Sequence, residues 1–413
     1  MRKTAFLLLV AASACATYEP PAPVRAFAAG DLASMEAFCH EQIRTGNQNS
    51  RALYENLLGS VQVLLGDREG ALKSFRRAGT FMGNWSVSGS EEFGAVVGSE
   101  SSKQYRGDPY ERAMNAFYLG MLYWMRGEPD NARAAFKKGI LADGESDGQH
   151  YQVDFTLLYW LAGRASLAMG LRNDADDFFA EARKAQKFAT EHGATVTPNP
   201  RALRDPAQGN LLCVVDIGLG PEKYAGGDDG EIACFRPRAN PIRTAEFFVD
   251  GRSLGASESL VDLYYQAATR GGTAMEGIRK GKAIFKNVTG VAGVVLIHEG
   301  TRGKSGRHKE AAAELAVGLT LLALSLLTST EADTRHWSIL PDSVQVLSAD
   351  VQPGKHQLRV AFRDGGGWEV PELAQTWTIE VPESGEAVYY FRSIPGLDRQ
   401  QCSDPSLHNR PQH

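Results

Sequence analysis

Polarity changes character several times along the chain, and each change predicts a different kind of element. Ala5 to Ala12 form a short apolar run behind Arg2 and Lys3, and Tyr18-Glu19-Pro20-Pro21 ends it abruptly. Residues 33 to 190 read as helices joined by glycine-containing turns. A polar stretch rich in Pro and Gly, "TEHGATVTPNPRALRDPAQGN", separates them from a half with a different rhythm. There "LLCVVDIG", "EIACFR" and "AEFFVDGRSLG" read as strands, the last turning at Asp250-Gly251, and "SVQVLSADV", "HQLRVAFR", "TWTIEV" and "AVYYFRS" form a second set. Between the sets, Leu260 to Phe285 and "KEAAAELAVGLTLLALSLLTSTEADTRHW" predict helices, while "VTGVAGVVLIHEG" fits either state.

Three segments of the helical half repeat one another: "LGSVQVLLGDREGALKSFRRA", "LGMLYWMRGEPDNARAAFKKG" and "AGRASLAMGLRNDADDFFAEA". Gly59, Gly120 and Gly163 mark the copies. Gly66, Gly127 and Gly170 follow at one fixed offset, Ala71, Ala132 and Ala175 at a second, and Phe75, Phe136 and Phe179 at a third. Small residues at the marker and alanine positions let two antiparallel helices approach closely, the second glycine closes the turn, and the phenylalanine fills the remaining gap. The pattern resembles the tetratricopeptide repeat, a helix-turn-helix unit of about 34 residues. Two insertions, beginning "GTFMGNWSVSG" and "LADGESDGQHYQ", lengthen the spacing. Units of this kind stack because one pair cannot bury its apolar face alone, and the resemblance implies binding to a protein or peptide. Phe81, Met82, Trp85, Phe93 and Tyr105, in or beside the longer insertion, are expected to pack over the groove, the alternative being that they reach a partner.

The N-terminal run is too short to span a membrane, which takes about 20 apolar residues. With its basic start and small residues before a cysteine, it has the layout of an export signal. Ala12-Ser13-Ala14-Cys15 resembles the lipobox of bacterial lipoproteins, with Ala12 where that pattern prefers leucine. The resemblance implies diacylglycerol on the Cys15 thiol, cleavage before it, and attachment to a membrane. The same residues also permit an ordinary secretory signal cut near Ala14 or Ala16. Ala16 is not acidic, so in a source with two membranes the expected address is the outer membrane, facing the periplasm.

Composition narrows the classes further. The 413 residues are 43% hydrophobic and 23% charged, with a net charge of -5. A globular protein with more than one folded unit fits these values, and no broad basic face offers itself to nucleic acid. Five cysteines are present, and no C-x-x-C spacing points to zinc or a redox pair. In an exported chain Cys213 and Cys234, in neighbouring strand-like segments, form a candidate disulfide, the alternative being two small buried hydrophobes.

"GLGPEK" and "ADTRHWSILPDSVQVLSADVQPGKHQLRV", taken with the lipobox and "YERAMNAFYLGMLYWMRGEPDNARAAFKKG", resemble a family of uncharacterised bacterial lipoproteins. That family pairs a helical repeat region with a C-terminal β-rich domain, and it brings no catalytic residues with it.

Motifs that usually carry chemistry fail on context. "GESDG" satisfies G-x-S-x-G, but Ser146 falls in a polar loop instead of a strand-to-helix turn. Gly300, Gly303, Lys304 and Ser305 approach a phosphate-binding loop, but His298 stands where its first glycine belongs. His298, Glu299 and His308 lack metal-ligand spacing, and "GGDDGE" lacks the alternating ligands of a calcium loop. Leu315 to Leu327 is uncharged yet too short to span, so it predicts a buried helix. Asp333, Arg335, His336 and Trp337 are expected to be structural, at the junction with the β segment.

The expectation is therefore an α+β protein. A signal occupies 1-14, a linker 15-32, an α-solenoid of tetratricopeptide-like helix pairs 33-190, a second linker 191-209, a mixed α/β domain with antiparallel strands 210-395, and a polar tail 396-413. Its expected work is non-enzymatic, without cofactor or metal: a lipid-anchored scaffold for a protein partner of the cell envelope. An enzyme or small-ligand site in the C-terminal half, and a structural subunit of an envelope assembly, are the alternatives.

Overall fold

The computed structural model describes residues 21-82, 104-144, 155-226, 232-268 and 332-397, and the backbone of 406-408. Two helices open the described chain, α1 (Val24–Ala28) and α2 (Leu32–Thr45). Three pairs follow: α3 (Arg51–Leu65) with α4 (Arg68–Met82), α5 (Pro109–Met125) with α6 (Pro129–Gly144), and α7 (Thr156–Ala168) with α8 (Arg172–Glu191). Local sequence sets the boundaries. Asp31 caps α2 by accepting the Ser34 N–H at 3.0 Å. Pro109 occupies the first turn of α5, where a missing N–H costs nothing, and Glu111 reaches back to accept the Asp108 N–H at 2.7 Å. Gly66, Gly127 and Gly170 end the first helix of each pair at φ of 78°, 75° and 75°, the left-handed region that a residue with a β-carbon enters at a cost.

Within each pair the two helices differ in surroundings. In α3, α5 and α7 almost every side chain is buried, whereas α4 keeps Lys73, Arg76 and Arg77 in solvent. The first helices are thus interior elements, and the second helices form the wetted side of the array.

The C-terminal half is built of strands. After the short α9 (Arg201–Arg204) come β1 (Leu211–Ile217), β2 (Glu222–Gly226), β3 (Ile232–Arg236), β4 (Ile242–Val249), β5 (Arg252–Ala256) and β6 (Glu258–Asp262). A single helical turn, α10 (Leu263–Gln266), leads out of β6. The remaining strands are β7 (Ser343–Ala349), β8 (Gly354–Asp364), β9 (Gln375–Val381), β10 (Ala387–Arg392) and β11 (Ser406–His408). They make a five-stranded sheet in the order β11-β10-β1-β7-β6, a four-stranded sheet in the order β5-β4-β8-β9, and the hairpin β2-β3. Neighbours run antiparallel throughout except β1 with β10. The fold is α+β, tetratricopeptide-like helix pairs followed by a strand-rich domain.

The layers explain the strand sequences. One face of the five-stranded sheet, with Leu212, Val214, Val344, Val346 and Val388, shares a core with the helices. The other, with Leu211, Cys213, Val215, Leu347, Tyr389 and Phe391, packs on Phe247, Val360 and Phe362 of the four-stranded sheet. β1 is therefore covered on both sides, which is why "LLCVV" runs apolar without alternation and every position of the strand, Asp216 included, is buried. β4, in the outer sheet, alternates buried and half-buried positions.

Several expectations change. The segment 15-32 contains α1, whose Phe27 is wholly buried, and 191-209 contains α9 and a Thr197 N–H bonded to the Ser259 carbonyl at 3.0 Å. Residues 406-408 of the expected tail pair with β10. The helix expected to run on through "ADTRHW" does not include residues 332-337, which are irregular, and the helix expected from Leu260 starts only at Leu263, after β6.

Candidate functional site

The repeat signature forms one seam three times over. A β-carbon on Gly59 would lie 2.8 Å from Phe75 Cε1, on Gly120 2.2 Å from Phe136 Cε1, and on Gly163 2.5 Å from Phe179 Cε1. Each glycine lets the phenylalanine ring of the second helix lie directly on the backbone of the first. Ala71, Ala132 and Ala175 are wholly buried beside these contacts.

The interior helices also carry polar groups, and these point at the strands. The Tyr118 hydroxyl of α5 donates to Asp216 Oδ2 of β1 at 2.6 Å, and the Tyr390 hydroxyl of β10 donates to the same oxygen at 2.7 Å. Arg392 Nη1 is a third donor at 3.1 Å, while its Nη2 reaches the carbonyls of Gly218 and Ile339. Burial pushes the Asp216 carboxyl up, and the Arg392 charge and the hydroxyls act against that rise. At the start of α5, Lys223 of β2 donates to Asp108 Oδ2 at 2.6 Å, and the Trp337 N–H donates to Glu111 Oε1 at 2.5 Å. Burial, then the neighbouring Asp108 charge, raise Glu111 to about 7, with Lys223 and the two backbone donors opposing. On α7, Arg164 pairs with Glu386 at 2.8 Å and donates to the carbonyls of Pro206, Gln208 and Gly209.

Asp333 to Trp337 sit within this junction. Arg335 pairs with Asp333 at 2.6 Å and donates to Ser50 Oγ at 3.0 Å. Burial pushes Asp333 up, but the hydrogen bonds and charge of Arg335 outweigh it and hold the carboxyl low. His336 Nδ1 lies 3.0 Å from the Thr334 carbonyl, and burial lowers that imidazole to about 4. Trp337 packs against Phe75 and Tyr118. These contacts join α5, α7 and Ser50, the residue before α3, to the C-terminal half, so the chain's own strands cover the side that α5 and α7 present.

Concavities remain open among the described residues, two of them larger than about 300 Å³. One is a groove of about 340 Å³ between α2 and α4 with α3 as its floor, lined by His40, Ile43, Arg51, Glu55, Leu58, Gln62, Gly70, Lys73 and Arg77. The buried Glu55 pairs with Arg77 at 2.7 Å and Arg51 at 3.5 Å. The other is a cleft of about 640 Å³ between residues 195-198 and 237-244, walled by Asn240, Arg243, Asp262, Tyr264, Asp342 and Gln345 among others. Asp262 is committed there to the N–H groups of Thr195 and Tyr265. Burial raises Asp342, which Asn240 reaches at 3.1 Å.

Cys213 and Cys234 are not bridged. Both are free, Cys213 on β1 in the five-stranded sheet and Cys234 on β3 in the hairpin. Segments adjacent in sequence separate in space because β2 and β3 turn away from the sheet as their own ribbon. Met82 and Tyr105 are buried and Phe81 half-buried. Cys15, Trp85, Phe93, Ser146, the 298-308 loop, Leu315 to Leu327 and most of "GGDDGE" lie outside the described residues. Among the described residues, no group of three or more His, Cys, Asp or Glu side chains is placed to hold a metal ion.

No family model matches the chain, and no curated protein matches it. Solved structures include two similar ones. "Crystal structure of MamA protein" is 18% identical with a TM-score of 0.29, covering 42% of this chain and 74% of that one. "Crystal structure of MamA" is also 18% identical at a TM-score of 0.29, covering 40% of this chain and 75% of that one.

Proposed function

We propose that the chain is an envelope lipoprotein, held at a bilayer by lipid on Cys15, that docks other proteins on its repeat array. The observation that supports docking is the division of the array. α5 and α7 are tied to the strands, whereas α4 and the groove beside it face solvent. Attachment is supported by the lipobox-like Ala12-Ser13-Ala14-Cys15, and each acyl CH₂ buried in a bilayer contributes about 0.8 kcal/mol. With Ala16 after the cysteine, the outer membrane facing the periplasm is the address this reading assigns in a source with two membranes. The scaffold works without turnover or cofactor.

Labelled fatty acid should mark the wild-type chain and leave Cys15→Ala unmarked. Equal labelling of both sinks the anchor. For docking, the full chain is cross-linked in intact cells and recovered from solubilised envelopes; a defined protein partner is expected, and recovery of the chain alone in every preparation sinks the scaffold.

A second reading rests on the cleft around Asp342 and Arg243, whose mixed acids, guanidinia, amides and hydroxyls suit a small polar ligand. A thermal-shift screen of small polar metabolites compares wild type with Asp342→Asn. No ligand that stabilises wild type more than the variant leaves this reading without support.

A further inference from the structure

We propose that the groove between α2 and α4 takes an acidic peptide segment of a partner protein, one carrying an apolar side chain among its carboxylates; this rests on the scaffold reading and names its partner chemistry. The rim is basic. Arg51, Lys73 and Arg77 line it with the exposed imidazole of His40, and the carboxylate within it, Glu55, is buried beneath them and shared by two guanidinia. That leaves a net positive field over the opening. Lys73 is exposed and, among the described residues, has no ion-pair partner.

The floor supplies the other half of the recognition. Leu58 is buried at its base and Ile43 half-buried at its side, so one apolar side chain has a surface to cover. Gln62 fixes its orientation: its Oε1 accepts the Ser74 hydroxyl at 2.8 Å, which turns the amide nitrogen toward Gly70 at the groove's end as a donor. Donors and cations outnumber acceptors around an apolar base. A cationic peptide would meet like charge, and a wholly apolar one would strip water from Lys73 and Arg77 without replacing it. Among the described residues, none of the groove's lining side chains hydrogen-bonds to the β layers, so occupancy leaves the junction intact.

The test uses the full chain with a display library of random peptides, followed by fluorescence anisotropy of the selected sequences. Wild type should enrich peptides rich in Asp and Glu with a Leu, Ile or Phe among them, with affinity falling as salt rises. Lys73→Glu combined with His40→Glu, both at exposed positions, should weaken binding by about tenfold while the denaturation midpoint stays put. Arg51 and Arg77 are left alone because they neutralise Glu55. Selected peptides without acidic excess, or unchanged affinity in the double variant, overturn the proposal. Sedimentation covers the alternative occupant: self-association abolished by the double variant would give the groove to a second copy of the chain and likewise overturn it. Envelope cross-linking separates the two levels. A partner recovered equally by wild type and double variant ends the groove assignment and spares the scaffold, whereas no partner with wild type ends both.

Discussion

The Tyr118 hydroxyl and Asp216 Oδ2 meet at 2.6 Å across the boundary between the helix pairs and the five-stranded sheet, in surroundings closed to solvent. Three donors converge on that one oxygen, so the carboxylate is a keystone of the junction. Asp216→Ala strands the buried Arg392 guanidinium, and a loss of about 3–5 kcal/mol in unfolding free energy is expected. Tyr118→Phe removes one charge-assisted bond and should cost about 1.5–3 kcal/mol. Because Tyr390 donates to the same atom, Tyr118→Phe and Tyr390→Phe should depart from additivity in a double-mutant cycle. Denaturant titration measures all of these. Tyr118→Phe indistinguishable from wild type would remove the junction's central contact from the account.

The repeat seam makes a graded forecast. Alanine in a helix interior ordinarily gains about 1 kcal/mol over glycine. At these positions the new methyl meets a ring already in contact, and overpacking costs about 1–3 kcal/mol. The closest approach is at Gly120, then Gly163, then Gly59, at 2.2, 2.5 and 2.8 Å. Thermal unfolding of the three glycine-to-alanine variants should rank them in that order of damage. Phe136→Leu should recover part of the loss in Gly120→Ala. If Gly120→Ala proves the least harmful of the three, the rings are not what hold the helices apart.

This seam was legible in the sequence because it depends on residue types at fixed short offsets, and three copies repeat them. Strand positions were legible for a similar reason, in alternation or apolar runs between turns. What the sequence concealed depends on distant pairings. Tyr118 and Asp216 lie 98 positions apart, and Asp216 and Arg392 lie 176 apart. No local pattern distinguishes these from surface residues. Helix α1 sits in a proline-rich context that reads as linker, and its Phe27 is wholly buried, with Arg392 over the ring at 5.5 Å. One partial signal was present: "DPYE" has the acid, proline and glutamate of a helix start, and the same Asp108 and Glu111 carry the contacts to Lys223 and Trp337.

Glu111 gives the junction a pH signature. Its carboxyl is raised from 4.5 to about 7 in the folded chain, by burial first and the Asp108 charge second. Between those values the folded state holds a proton that the unfolded state has released, so stability falls as pH rises through this window. The contribution is present at the acid end and lost above about 7. Glu111→Gln keeps an acceptor for one of the two backbone N–H groups and cannot ionise. The stability of wild type minus that of the variant should therefore decline from pH 5 to pH 8, measured by urea titration at each pH. A flat difference would mean that Lys223 and the backbone donors hold Glu111 at an ordinary value.

The thiols test the separation of the hairpin from the sheet. Cys39 and Cys213 are buried, and burial pushes both thiols well above the range where thiolate forms at neutral pH. Cys234 is half-buried on β3. Of the three described thiols, native alkylation with iodoacetamide followed by peptide mapping should therefore modify Cys234 first, with Cys39 and Cys213 reacting only after denaturation. Mapping without reductant should find no peptide linking Cys213 to Cys234, even in protein recovered from an oxidising compartment, because both thiols are free and Cys213 is wholly buried between the sheets. A linked peptide in the native protein would require β3 to lie against β1, and the arrangement of the hairpin would have to be redrawn.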